Sequence, residues 1–278
     1  LKLSLISLGL ILFKIVFALC TLSVAGYLLS LLVKRVMLAK ISTWILAIAF
    51  VFLTVYLLLA VISSTGFHNL GSRAFFSFCA LSASGVYLAL QFKTKTRLLG
   101  AFISPFILFF MIAAAGQETG KSLLPEGLRN WLTMAHLTLT IVGEVLFVLA
   151  SCAGAMFIIQ NGLLKHKKLS SMSRLLPSLS DLDKINHICL LWGFPILTVG
   201  IIAGAVSAGF TWERGWPADP KIIWTVSAWI IYGFLLHQRL AIGWKGFRMA
   251  VVSCAVFILF LLSYIGVRFC FTTLHDFI

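Results

Sequence analysis

Charge is scarce in this chain. Only 11% of its 278 residues are charged and 61% are hydrophobic, for a mean hydropathy of +1.06. That balance excludes a soluble domain of this length. The six cysteines stand singly, with no Cys-x-x-Cys pair, so neither a zinc site nor a thioredoxin-like redox pair is indicated. The Cys-x-x-Cys-His pattern of a c-type cytochrome is missing too. No Walker A loop and no G-x-G-x-x-G after a strand occurs, which argues against ATP-driven pumping. No internal repeat supports an inverted-repeat transporter. The apolar N-terminal stretch has no Ala-x-Ala-like end and is too long for a signal peptide, so it reads as a span.

What is present is a succession of apolar stretches, each near the ~20 residues a helix needs to cross a bilayer. Eight spans are expected, at 5–33, 43–63, 73–91, 98–115, 132–160, 187–210, 221–238 and 249–269. The expected class is therefore all-α, a polytopic membrane protein forming a single integral-membrane domain over 1–278.

The net charge of +14 suggests nucleic acid until its placement is considered. Lys34, Arg35 and Lys40 follow the first span, and Lys93, Lys95 and Arg97 the third. Lys165, Lys167, Lys168, Arg174 and Lys184 follow the fifth, and Arg239, Lys245 and Arg248 the seventh. In this topology all of these lie on one side, which the positive-inside rule makes cytoplasmic. Both termini are then extracytoplasmic, and the charge serves topology and anionic lipid rather than nucleic acid.

The outward loops, 64–72, 116–131, 211–220 and the tail 270–278, are where external chemistry can sit. The richest segment is GFTWERGWPADPKIIWTVSAWIIYGFLLHQR, Gly209 to Arg239. It sets Trp212, Trp216 and Trp224 around an Ala-Asp-Pro-Lys turn and leads through an apolar helix to His237. Flat aromatic faces at a membrane surface, with an imidazole nearby, suit a large planar iron-containing ligand, which is haem.

Two further histidines fall on the outward side. His136 lies just inside the outer end of the fifth span and His275 lies in the tail. Two neutral imidazoles can be the two axial ligands of one haem iron. The plainer reading is an interfacial cap for His136 and a solvated tail residue for His275. His237, near the cytoplasmic end of its span, is either functional, as intramembrane ionisable groups tend to be, or interfacial. His68, His166 and His187 read as ordinary interfacial residues. Glu144, eight residues after His136, is expected on the same helical face. Arg73, Arg129, Arg214, Lys221 and Arg268 lie at outer span ends, suited to haem propionates or to plain anchoring.

These segments together resemble the cytochrome c assembly family, in its CcsA/ResC and HemX-like branch, related to the CcmC and CcmF haem handlers. NWLTMAHLTLTIVGEVLF resembles the family's W-L-x-x-H helix and puts His136 on the first outward haem-ligating histidine. LDKINHICLLWGFPILTVGIIAGAVSA resembles its LD…GFPLLTLGIITGA helix. LHQRLAIGWKGFRMA resembles its LHTRL…GWRG segment and puts His237 on the transmembrane histidine. The closing LHDF resembles the family's L-H-S and puts His275 on the second outward histidine.

The family's tryptophan-rich loop reads W-G-x-x-W-x-W-D-P-K-E-x-W. Trp216, Asp219, Pro220, Lys221 and Trp224 match it, while Ala218 replaces a tryptophan and Ile222 the glutamate. The resemblance implies haem b held under the loop 211–224 by His136 and His275, with Trp212, Trp216, Asp219 and Trp224 around it. It implies a CcsB-like membrane partner, an apocytochrome c recipient, and a bacterial cytoplasmic or thylakoid-type membrane. The two departures argue against full haem-attachment activity and for haem binding or transfer. They also fit a HemX-like structural or regulatory subunit.

Overall fold

The computed structural model of the chain describes residues 2–63, 71–94, 96–117, 130–165, 176–211 and 220–270. Its regular elements are α1 (Lys2–Val33), α2 (Val36–Ser63), α3 (Ser72–Thr94), α4 (Gly100–Ala115), α5 (Trp131–Lys165), α6 (Leu179–Thr211), α7 (Pro220–Leu240) and α8 (Phe247–Cys270). A 3-10 turn, Arg97–Leu99, leads into α4. The all-α polytopic class is what the composition demands, because a helix satisfies its backbone polar groups internally where no water can.

Residues Ser7–Val33, Val36–Ser63, Ser72–Phe92, Trp131–Lys165 and Leu179–Phe210 form helices long and apolar enough to cross a membrane. α4, at 16 residues, is shorter. α7 is less apolar because Lys221, His237 and Arg239 occupy its ends. Many large apolar side chains point outward, Leu32, Met37, Phe92, Trp192 and Phe210 among them, as lipid contact requires.

The helix starts differ from the sequence reading where capping chemistry intervenes. α6 begins at Leu179 rather than near residue 187, so part of the expected cytoplasmic loop is helical. Ser178 caps it: its Oγ accepts the Asp181 N–H at 3.1 Å and donates to Asp181 Oδ2 at 2.7 Å. α2 begins at Val36 rather than 43, after a tight turn in which Lys34 takes the left-handed conformation, φ 57°.

The described residues form two compact helical units. In the first, α1 packs on α2 and α4, and α3 packs on α2 and α4. Its centre holds a polar node: the Tyr27 hydroxyl donates to Thr43 Oγ1 at 2.9 Å and lies 3.0 Å from the Tyr87 hydroxyl. Gly100 makes room for it, since a Cβ there would fall 2.4 Å from the Tyr27 ring.

In the second unit α5 and α6 share the longest interface, and α8 packs on both α5 and α7. Small residues let the backbones approach, as they do in membrane helix pairs. A Cβ at Gly143 would sit 3.0 Å from Leu197, one at Gly193 3.0 Å from Phe147, and one at Gly154 2.9 Å from the Ala250 carbonyl of α8. Asn186 of α6 donates to Ala150 O at 2.9 Å and to Ser253 Oγ at 3.0 Å, joining α5, α6 and α8. Rings fill the space between α5, α7 and α8: Phe147 stacks on Tyr232 at 3.5 Å, and Tyr232 on Phe260 at 5.7 Å.

Candidate functional site

The first turn of α5 is built by Asn130. Its Oδ1 accepts the Thr133 N–H at 2.9 Å and the Thr133 hydroxyl at 3.1 Å, a helix N-cap. Thr133 Oγ1 in turn lies 2.7 Å from Ser207 Oγ. This pins the start of α5 to the last turns of α6, at the end that the charge pattern assigns to the outside.

One turn deeper lies His136, half buried against α6. Its Nδ1 is 2.8 Å from the carbonyl oxygen of Gly200. A carbonyl only accepts, so Nδ1 carries the proton and the ring lone pair sits on Nε2. The ring fits there because α6 is bare at that point. A Cβ on Gly204 would fall 2.5 Å from Nδ1, and one on Gly200 2.9 Å from the Thr140 nitrogen. A neutral imidazole with its proton directed at the protein and a lone pair on Nε2 is the donor chemistry a haem iron takes. The residue fits the group the sequence points to.

Trp224 is half buried, not laid open. Its indole N–H donates to Ser263 Oγ of α8 at 2.7 Å, and its ring meets Phe260 edge-on at 5.8 Å. His237 lies on the exposed face of α7 with Ile223, Ile230 and Phe234. Thirteen residues separate it from Trp224, about 20 Å along a helix, so the two serve different places.

Trp212, Trp216, Asp219 and His275 lie outside the described residues, as do His68, His166, Arg129 and Arg214. One expectation changes. Glu144 does not share the α6-facing side with His136. Eight residues turn a helix ~80° past two full turns, so Gly143 meets Leu197 while Glu144 is exposed. Arg73, read as a propionate partner or a plain anchor, donates through Nε and Nη2 to the Gln117 carbonyl beyond α4, with its guanidinium over the Phe13 ring.

The residues that sequence reasoning missed are Gly200 and Gly204. Their signal is the Gly-x-x-x-Gly spacing within an apolar run, which marks close helix contact. Asp183, Arg239 and Gly246 were missed as a group. Arg239 donates to both oxygens of Asp183 at 2.7 Å, and the Gly246 N–H reaches Oδ1 at 2.7 Å. Gly246 has φ 63°, a conformation glycine adopts without strain. Each residue comes from one of the two segments, LDKINH and LHQRLAIGWKG, that carried the resemblance.

An all-helical polytopic membrane protein is the class that the fold defines. The chain belongs to the cytochrome C assembly protein family, whose model matches residues 70–275. It is similar to the cytochrome c biogenesis protein CcsA of Guillardia theta, 29% identical over 229 residues, 75% of each chain. The CcsA of Chlamydomonas reinhardtii is 29% identical over 211 residues, which cover 74% of this chain and 58% of that longer one. The CcsA of the Microcystis aeruginosa strain NIES-843 is 27% identical over 249 residues, 72% of this chain and 76% of its own. Membership places the chain among the proteins of cytochrome c assembly.

Proposed function

We propose that the protein handles haem b at the outer surface of its membrane, with His136 and His275 as the two axial ligands. The observation that supports this reading is the His136 Nδ1 contact to Gly200, which places the ring proton on Nδ1 and the lone pair on Nε2. Haem, when bound, supplies the iron that takes two imidazoles and the vinyl groups that an apocytochrome c can receive. The chain supplies the rest. His136 would hold iron through Nε2, and the loop residues Trp212, Trp216 and Asp219 would supply the apolar and polar contacts around it. Trp224, fixed by Ser263, forms the wall nearest α8. Aromatic burial provides most of the affinity.

His237 suits an inner site that is completed from outside this chain. Its place on an exposed apolar face gives one axial ligand toward a neighbour, which family resemblance suggests is a CcsB-like membrane protein.

The test is an absorption spectrum of the detergent-purified protein, oxidised and dithionite-reduced, with a pyridine haemochrome assay. The wild type is expected to show a low-spin b-type spectrum that His136→Ala and His275→Ala each abolish. If both variants keep it, the ligand assignment fails. Ala218 and Ile222, which depart from the family loop, favour a second reading as a structural or regulatory subunit. Stoichiometric co-purification with membrane partners and no haem would select it.

A further inference from the structure

Gly204 of α6 lies directly against the His136 ring. A methyl group there would enter the ring itself, with its carbon 2.5 Å from Nδ1, 2.8 Å from Cε1 and 2.9 Å from Cγ. Gly200, one turn earlier, contributes the carbonyl that receives the Nδ1 proton at 2.8 Å. It also admits the α5 backbone at Thr140, where its own Cβ would meet the Thr140 nitrogen at 2.9 Å. The Thr140 hydroxyl is satisfied within α5, donating to the His136 carbonyl at 2.7 Å, so it does not compete for the Gly200 carbonyl. The two glycines thus do separate things. One empties the space for the ring, and the other supplies the acceptor and the closeness that brings the acceptor within reach.

We infer that Gly200 and Gly204 are positioning residues for His136: they set its tautomer and orientation before any ligand arrives. The inference rests on His136 being the iron ligand only for its consequence; the tautomer itself belongs to the ligand-free chain. The partner is a neutral carbonyl rather than a carboxylate. Nδ1 therefore keeps its proton, and the ring donates as an imidazole without imidazolate character. Such outer partners fix ring orientation and tune the basicity of the ligand, and their loss costs about 10–100-fold in metal affinity.

The first measurement is 15N NMR of histidine-labelled, haem-free protein, with the His136 signals assigned by their loss in His136→Ala. The Nδ1–H tautomer is expected in the wild type and its loss in Gly204→Ala. An Nε2–H tautomer in the wild type overturns the inference. The second is haem titration with the reduction potential of the bound form. Gly204→Ala is expected to weaken haem binding about 10–100-fold, to shift the potential, and to be rescued by free imidazole. Gly143→Ala, which crowds Leu197 at the same helix interface and does not touch the ring, is the control for packing and is expected to lower stability while keeping the Nδ1–H tautomer and the potential. Equal effects of both variants on tautomer and potential overturn the positioning role. Retention of the low-spin spectrum by His136→Ala would sink the ligand reading instead, and would leave the NMR result standing on its own.

Discussion

Arg239, near the end of α7, places both terminal guanidinium nitrogens 2.7 Å from the two carboxylate oxygens of Asp183, near the start of α6. The pair is one-sided in its burial: the arginine side chain is 6% exposed and the aspartate 20%. Removing the acid strands a buried cation, which typically costs about 3–5 kcal/mol. Asp183→Ala is expected to lower the thermal midpoint in detergent markedly. Adding Arg239→Met should recover part of the loss, because the stranded charge is then gone. A double variant as unstable as the single one would show that Gly246, not the ion pair, is what Asp183 holds.

Trp224 separates a structural role from a ligand-stacking role. Its N–H bond to Ser263 is a neutral hydrogen bond, worth roughly 0.5–1.5 kcal/mol. Trp224→Phe is expected to lose that stability and to retain haem, since an aromatic face remains. Trp224→Ala should lose both. Haem loss in the phenylalanine variant at unchanged stability would contradict this.

Gly154 marks the tightest approach of α5 to α8. A methyl there would lie 2.9 Å from the Ala250 carbonyl. Overpacking of this kind costs about 1–3 kcal/mol, while the gain in helix propensity over glycine is at most about 1 kcal/mol. Gly154→Ala is therefore expected to destabilise the second unit in denaturant unfolding. A stabilised variant would mean that the helices part without penalty.

His237 makes the opposite prediction. Its side chain is exposed, so His237→Ala should leave the melting temperature of the isolated protein unchanged. Its effect should emerge only on co-expression with a membrane partner, as lost haem in the purified complex. A stability loss in the isolated chain would tie His237 to internal packing.

Eight apolar stretches were enough to foresee the eight helices among the described residues, because in hydrocarbon the length and polarity of a segment decide whether it forms a helix. Helix ends were less legible. Ser178 and Asp181 cap α6 well before the apolar run begins, since capping depends on local hydrogen bonds that hydropathy does not register. His136 was legible as a candidate from its neighbours in sequence, but its proton position was not. That came from Gly200, 64 residues away, and from an absence of side chain at Gly204. Glu144 was misplaced because an eight-residue interval overshoots two helical turns by enough to carry a side chain off the contact face.

α5 and α6 span 35 and 33 residues, each roughly 50 Å long at ~1.5 Å per residue, against a hydrocarbon layer of about 30 Å. Some 20 Å of this antiparallel pair therefore stands clear of the lipid tails. Measured against the expected spans, 132–160 and 187–210, nearly all of that excess falls at the cytoplasmic ends, after Gln160 in α5 and before His187 in α6. The pair therefore lifts Lys165 and Lys184 clear of the hydrocarbon on the side that the positive charge marks, and leaves His136, five residues into α5, close to the opposite boundary.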